Sequence, residues 1–73
     1  MSHHSAHLKT LPAPTLRKML REAGWSLAAV AAVEPRRDPT LVVRVVRKQI
    51  VSDPMWERIA WCLNHPRRGR VVA

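Results

Sequence analysis

Apolar residues return along this chain at helical intervals, and four blocks stand out. Leu16, Met19, Leu20 and Ala23 fall at i, i+3, i+4 and i+7, with Arg17, Lys18, Arg21 and Glu22 off that face. Thr15 can cap the start of this first helix, and Gly24 supplies its stop. A short second helix, Leu27 to Val33, follows a capping Ser26 and ends at Pro35. Asp38-Pro39 is a start signal, with Asp as N-cap and Pro in the first helical position. The stretch Leu41 to Val51 then reads two ways. Its β-branched residues favour a strand. Its spacing places Leu41, Val42, Val45, Val46 and Gln49 or Ile50 on one helical stripe. Helix is the preferred reading, because the cap signal precedes it. The start signal recurs at Ser52-Asp53-Pro54, and Met55, Ile59, Cys62 and Leu63 form the last stripe. Asn64 is expected to stop this helix in the left-handed conformation.

The ends lack this periodicity. Residues 1–14, MSHHSAHLKTLPAP, read as a flexible arm, and residues 66–73 as a basic tail. Between them lies one domain over 15–65. The expectation is an all-α, compact four-helix domain containing a helix-turn-helix. A chain of 73 residues has room for one domain only.

Charge changes the picture more than length does. Thirteen Lys and Arg against five Asp and Glu give a formal charge of +8, which points to a polyanion or an acidic protein surface as partner. Cys62 stands alone, so no internal disulfide forms and nothing calls for an oxidising compartment. The longest apolar run has seven residues, whereas a membrane span needs about twenty. No basic-then-apolar leader opens the chain. The expectation is a cytoplasmic protein that does not engage a membrane.

Candidate chemistry is sparse. No Gly-rich phosphate loop, paired carboxylate site or Cys-x-x-Cys pair is present, so an enzyme is not expected, and no cofactor is implied. Cys62 and His65 share a spacing of three. They read as a structural Cys beside a surface His rather than a catalytic dyad. His3, His4 and His7 read as a polar leader, not a metal clip. Trp25, Trp56 and Trp61 are assigned to the core.

Residues 24–64 resemble the small phage helix-turn-helix transcription regulators of the Ner and λ-repressor type. The matching elements are Leu27-Ala28-Ala29-Val30-Ala31 as scaffold helix and Val42-Val43-Arg44-Val45-Val46 as recognition helix. After twelve intervening residues, Ile59-Ala60-Trp61-Cys62-Leu63-Asn64 closes the domain. The intervening turn, Glu34-Pro35-Arg36-Arg37, is one residue longer than the family's and lacks its glycine. The resemblance implies a DNA-binding regulator acting as a dimer on a two-fold site. Thr40 and Arg44 would reach base edges beside Val43, and Arg36, Arg37, Arg47 and Lys48 would hold phosphates. Arg67, Arg68 and Arg70 would form an arm, flanked by Arg17, Lys18 and Arg21. A second reading also fits size and composition. The chain is similar in both to the small basic RNA-polymerase inhibitors of Xanthomonas phages, which implies docking on host RNA polymerase. Val43, Trp25 or Trp56 would then supply a hot spot.

Overall fold

The computed structural model describes residues 3–67. Among them the chain forms five helices and no strand: α1 (Ser5–Leu8), α2 (Ala13–Glu22), α3 (Leu27–Ala32), α4 (Pro39–Val46) and α5 (Asp53–Asn64). The all-α expectation holds. The strand alternative for the β-branched run is overturned, because the run enters its helix under a strong cap. Asp38 Oδ1 accepts from the Thr40 amide at 2.9 Å, and Pro39 occupies the first helical position. The helical phase then buries Val42, Val45 and Val46 together, which outweighs a β propensity worth only about 1 kcal/mol across its whole scale.

Two of the other caps follow the same logic. Ser26 Oγ accepts from Ala29 N at 3.0 Å and opens α3, and Ser52 Oγ accepts from Met55 N at 3.3 Å and opens α5. The expected cap at Thr15 is corrected. The cap lies three residues earlier, at Pro12, so α2 starts at Ala13 and Thr15 is an exposed residue of its first turn. Pro14 fits there because first-turn amides need no intrahelical acceptor.

α5 contributes most to the core, burying Met55, Trp56, Ile59, Ala60, Cys62 and Leu63. α3 packs on α4 across the turn 33–38, and α2, α3 and α4 each pack on α5. The radius of gyration is 11.4 Å, close to the ~11 Å expected of a compact chain this long.

The expected flexible arm is also corrected. Over residues 3–14 the chain is docked, with α1 packed on α5 and Leu8 fully buried. Asn64 holds its beginning. The amide of His3 donates to Asn64 Oδ1 at 2.7 Å, and Asn64 Nδ2 donates to the His3 carbonyl at 3.0 Å. Asn64 therefore does not stop α5 in the left-handed region. It is the last helical residue, and His65 caps the helix at φ −131°. Of the basic tail, Pro66 and Arg67 are described, and the rest of that expectation lies outside the described residues.

α2 ends as expected at Gly24, whose φ is +84°. The Gly24 amide donates to Arg21 O at 3.0 Å and the Trp25 amide to Leu20 O at 2.9 Å, a Schellman closure. The chain returns over this point: Arg67 N donates to Ala23 O at 2.7 Å, and a Cβ on Gly24 would lie 2.2 Å from the Arg67 carbonyl oxygen. Gly24→Ala therefore meets both a strained φ and a backbone clash. It should lower stability by about 2 kcal/mol in urea unfolding and free Arg67 from the Trp25 ring. A loss below about 0.5 kcal/mol would show that residues 66–67 do not lie there.

Candidate nucleic-acid interface

α4 turns its buried valines inward, so the positions between them face out. Thr40, Val43, Arg44 and Arg47 stand at i, i+3, i+4 and i+7, which places them on one face. Thr40, Arg44 and Arg47 are exposed and Val43 is half-buried. Arg36 and Arg37 are exposed on the turn that leads into the helix, and the Arg37 amide is pinned to Ala31 O at 2.7 Å. The structure thus brings six of the ten expected site residues onto α4 and the turn before it.

None of these arginines is held in an ion pair with a described residue, although Glu34 lines the same groove as Arg37. Among the described residues the one ion pair is Lys9 Nζ to Asp53 Oδ1, at 2.8 Å, away from α4. Asp38 is the sole carboxylate in the chain from Arg36 to Lys48, and its Oδ1 is committed to the Thr40 amide. Arg36, Arg37, Arg44 and Arg47 therefore keep their forks of N–H donors available to an external anion.

Lys48 departs from the expectation. α4 does not run to Val51. It ends at Val46 with Arg47 as C-cap and Lys48 at φ 64°. Lys48 N donates to Val45 O at 2.9 Å and Gln49 N to Arg44 O at 2.8 Å, again a Schellman closure, here with lysine in the left-handed position. The Lys48 ammonium donates to the Leu11 carbonyl and lies 5.6 Å from the Trp56 ring centroid. It is drawn back toward the fold rather than held out on the α4 face. Gln49 and Ile50, either of which was expected to end the stripe, are exposed instead, as is Val51, to 92%.

Arg67 also lies elsewhere. Its guanidinium sits 4.9 Å from the Trp25 ring centroid, at the junction of α2 and α3. Arg68 and Arg70 lie outside the described residues. Arg17, Lys18 and Arg21 are exposed on α2.

One important residue was not singled out in the sequence. Arg58 is half-buried, and its guanidinium donates to the carbonyls of Val30 (3.2 Å), Val33 and Pro35. They cluster at the C-terminal end of α3, where helical carbonyls run short of amide donors and Val30 O receives only the long C-cap bond from Val33 N at 3.3 Å. Arg58 thus fastens α3 and the turn bearing Arg36 and Arg37 to α5. The signal was present, since Met55, Arg58, Ile59 and Cys62 stand at i, i+3, i+4 and i+7 and a cation holds one position of an otherwise apolar stripe.

Cys62 is fully buried, and burial pushes its thiol up to about 11, outweighing the opposing pull of Arg58 and Arg67. At neutral pH it is a thiol, not a thiolate nucleophile. The His65 ring stacks on Trp61 at 4.2 Å, with Nδ1 2.8 Å from the Trp61 carbonyl. No group of three His, Cys, Asp or Glu among the described residues is placed to hold a metal, and no described helix is long and apolar enough to cross a membrane.

No family model, no curated protein and no solved structure matches the chain.

Proposed function

We propose that the protein is a small transcription regulator that binds duplex DNA through the outward face of α4, with α3 and α4 acting as a helix-turn-helix. The observation that carries this reading is the clustering of Arg36, Arg37, Arg44 and Arg47 on α4 and its leading turn, with no carboxylate paired to them among the described residues. α4 is short enough for its first turns to enter a major groove, where Arg44 and Thr40 can meet base edges. Arg36, Arg37 and Arg47 would hold phosphates. Both this reading and the next place the work in the host bacterial cytoplasm.

The test is duplex binding at rising salt, using the DNA upstream of the protein's own coding sequence and a random duplex of equal length. With Lys48 drawn inward, about four cations should engage, giving a slope of log affinity against log salt near −4. Arg47→Ala should reduce the slope by about one and weaken both duplexes alike. Arg44→Ala should cost roughly tenfold on the upstream duplex and less on the random one. Equal affinity for the two duplexes at every salt concentration would defeat the regulator reading.

Val43 favours a second reading. It sits half-buried in the middle of the arginine face, where a base reader would be polar. An apolar centre ringed by cations also suits an acidic protein surface, here that of host RNA polymerase. Capture of purified polymerase, lost in Val43→Asp and indifferent to added duplex, would support this reading over the first.

A further inference from the structure

Two of the three tryptophans do what the apolar pattern leads one to expect: Trp25 and Trp56 are buried. Trp61 departs from that assignment and stays 47% exposed, although core packing is complete without it. It is nevertheless held in place. Its ring meets Trp25 edge-on, with centroids 6.2 Å apart and planes at 71°. The His65 ring lies nearly parallel to it, 18° off at 4.2 Å. Each partner is anchored in turn. Trp25 Nε1 donates to the His65 carbonyl at 3.1 Å, and His65 Nδ1, facing a carbonyl 2.8 Å away, must carry its proton and donate to Trp61 O. The three rings form a closed set, each held by another.

The set sits beside cations. Arg67 covers the Trp25 ring at 4.9 Å, and Arg21 lines the same cleft as Trp25 and Arg67. Glu22 also borders that cleft, and Glu34 and Glu57 line the groove that Trp61 borders, so the cations nearest the platform are Arg67 and Arg21 on its Trp25 side. An exposed imidazole stacked on indole, beside guanidinium groups, offers a flat π surface next to a phosphate-binding charge. Proteins that bind single-stranded nucleic acid combine these two elements.

We propose that the Trp61–His65 stack is a docking platform for an unpaired base of single-stranded nucleic acid, with Arg67 holding the adjoining phosphate. The base continues the column on the outer face of His65. Trp61 borders a groove that Arg37 and Leu41 also line, but Arg44 and Arg47 are not part of it, so use of the platform does not depend on duplex recognition by those two residues.

The test uses the full-length protein and a twelve-residue oligothymidylate at moderate salt, followed by tryptophan fluorescence. Binding should quench the emission, and an abasic oligomer of the same length should bind several-fold more weakly with little quenching. Trp61→Ala should remove the quench and weaken oligothymidylate binding by roughly 5–150-fold, the range of one base–aromatic stack, whereas Trp61→Phe should retain most of the affinity. His65→Ala should weaken binding while leaving far-ultraviolet circular dichroism unchanged. The double variant Arg44→Ala with Arg47→Ala should lose duplex binding and keep the oligothymidylate quench, which separates the two sites. Equal affinity for the abasic oligomer and oligothymidylate would overturn the proposal. So would a Trp61-dependent quench given by polyglutamate and not by oligothymidylate, since the platform would then be a protein-docking surface.

Discussion

Leu8→Ala should destabilise the protein by about 3 kcal/mol, although Leu8 lies in a stretch that reads as a polar arm. A fully buried leucine cut to alanine loses its transfer energy and leaves a cavity, at about 2–5 kcal/mol, and Leu8 is 0% exposed between α1 and the core. A domain of this length holds only about 4–11 kcal/mol in total, so the loss is a large share. The midpoint of thermal unfolding should fall by roughly 10–20 °C. Leu11→Ala, at a half-buried site packed against the same core, should cost about 1 kcal/mol. Urea unfolding with the m-value monitored checks both. If Leu8→Ala unfolds within 0.5 kcal/mol of the parent chain, residues 3–14 are not part of the folded unit.

Leu8 also marks where sequence reasoning lost contact with the fold. The helices with three or more apolar residues in phase were legible, and so were the start signals Ser26, Asp38 and Ser52, because both express local physics: a repeat of 3.6 and a side-chain oxygen facing a free amide. α1 has one buried residue and no side-chain cap, so no periodicity could announce it. It exists because α5 offers an apolar face and because His3, Lys9 and Leu11 are held by Asn64, Asp53 and Lys48, at sequence separations of 61, 44 and 37. Such contacts leave no local trace.

The end of α4 failed for a related reason. The stripe stays in helical phase as far as Gln49 or Ile50, and nothing between Val46 and Ser52 is a glycine or proline. The helix stops because Lys48 takes a left-handed conformation, rare for a residue with a side chain and here accompanied by its contacts with Leu11 and Trp56. The arginines of the candidate interface were legible all the same. Thr40, Val43, Arg44 and Arg47 fall between the valines that the repeat buries, so their outward placement follows once α4 is a helix. What no local pattern announced was that Lys48 turns away from them, whereas the inward turn of Arg58 was foreshadowed by its place in the apolar stripe of α5.

Arg58 carries the second large effect. Arg58→Ala should cost about 2–3 kcal/mol, because it leaves the carbonyls of Val30, Val33 and Pro35 without their charged donor, and each bond to a charged group is worth about 1.5–3 kcal/mol before water partly replaces it. Arg58→Met separates the head group from the stem. It keeps the buried methylenes and deletes the fork, so it should still cost about 2 kcal/mol in urea unfolding. Arg58→Lys, with one ammonium for three acceptors, should fall between the parent and the methionine variant. Because this guanidinium is directed at backbone carbonyls, Arg58→Met should leave the salt slope of duplex binding unchanged at temperatures where it is folded, unlike Arg47→Ala. If Arg58→Met matched the parent in stability and instead reduced that slope by one, Arg58 would be a phosphate contact, and the turn bearing Arg36 and Arg37 would have to be held by something else.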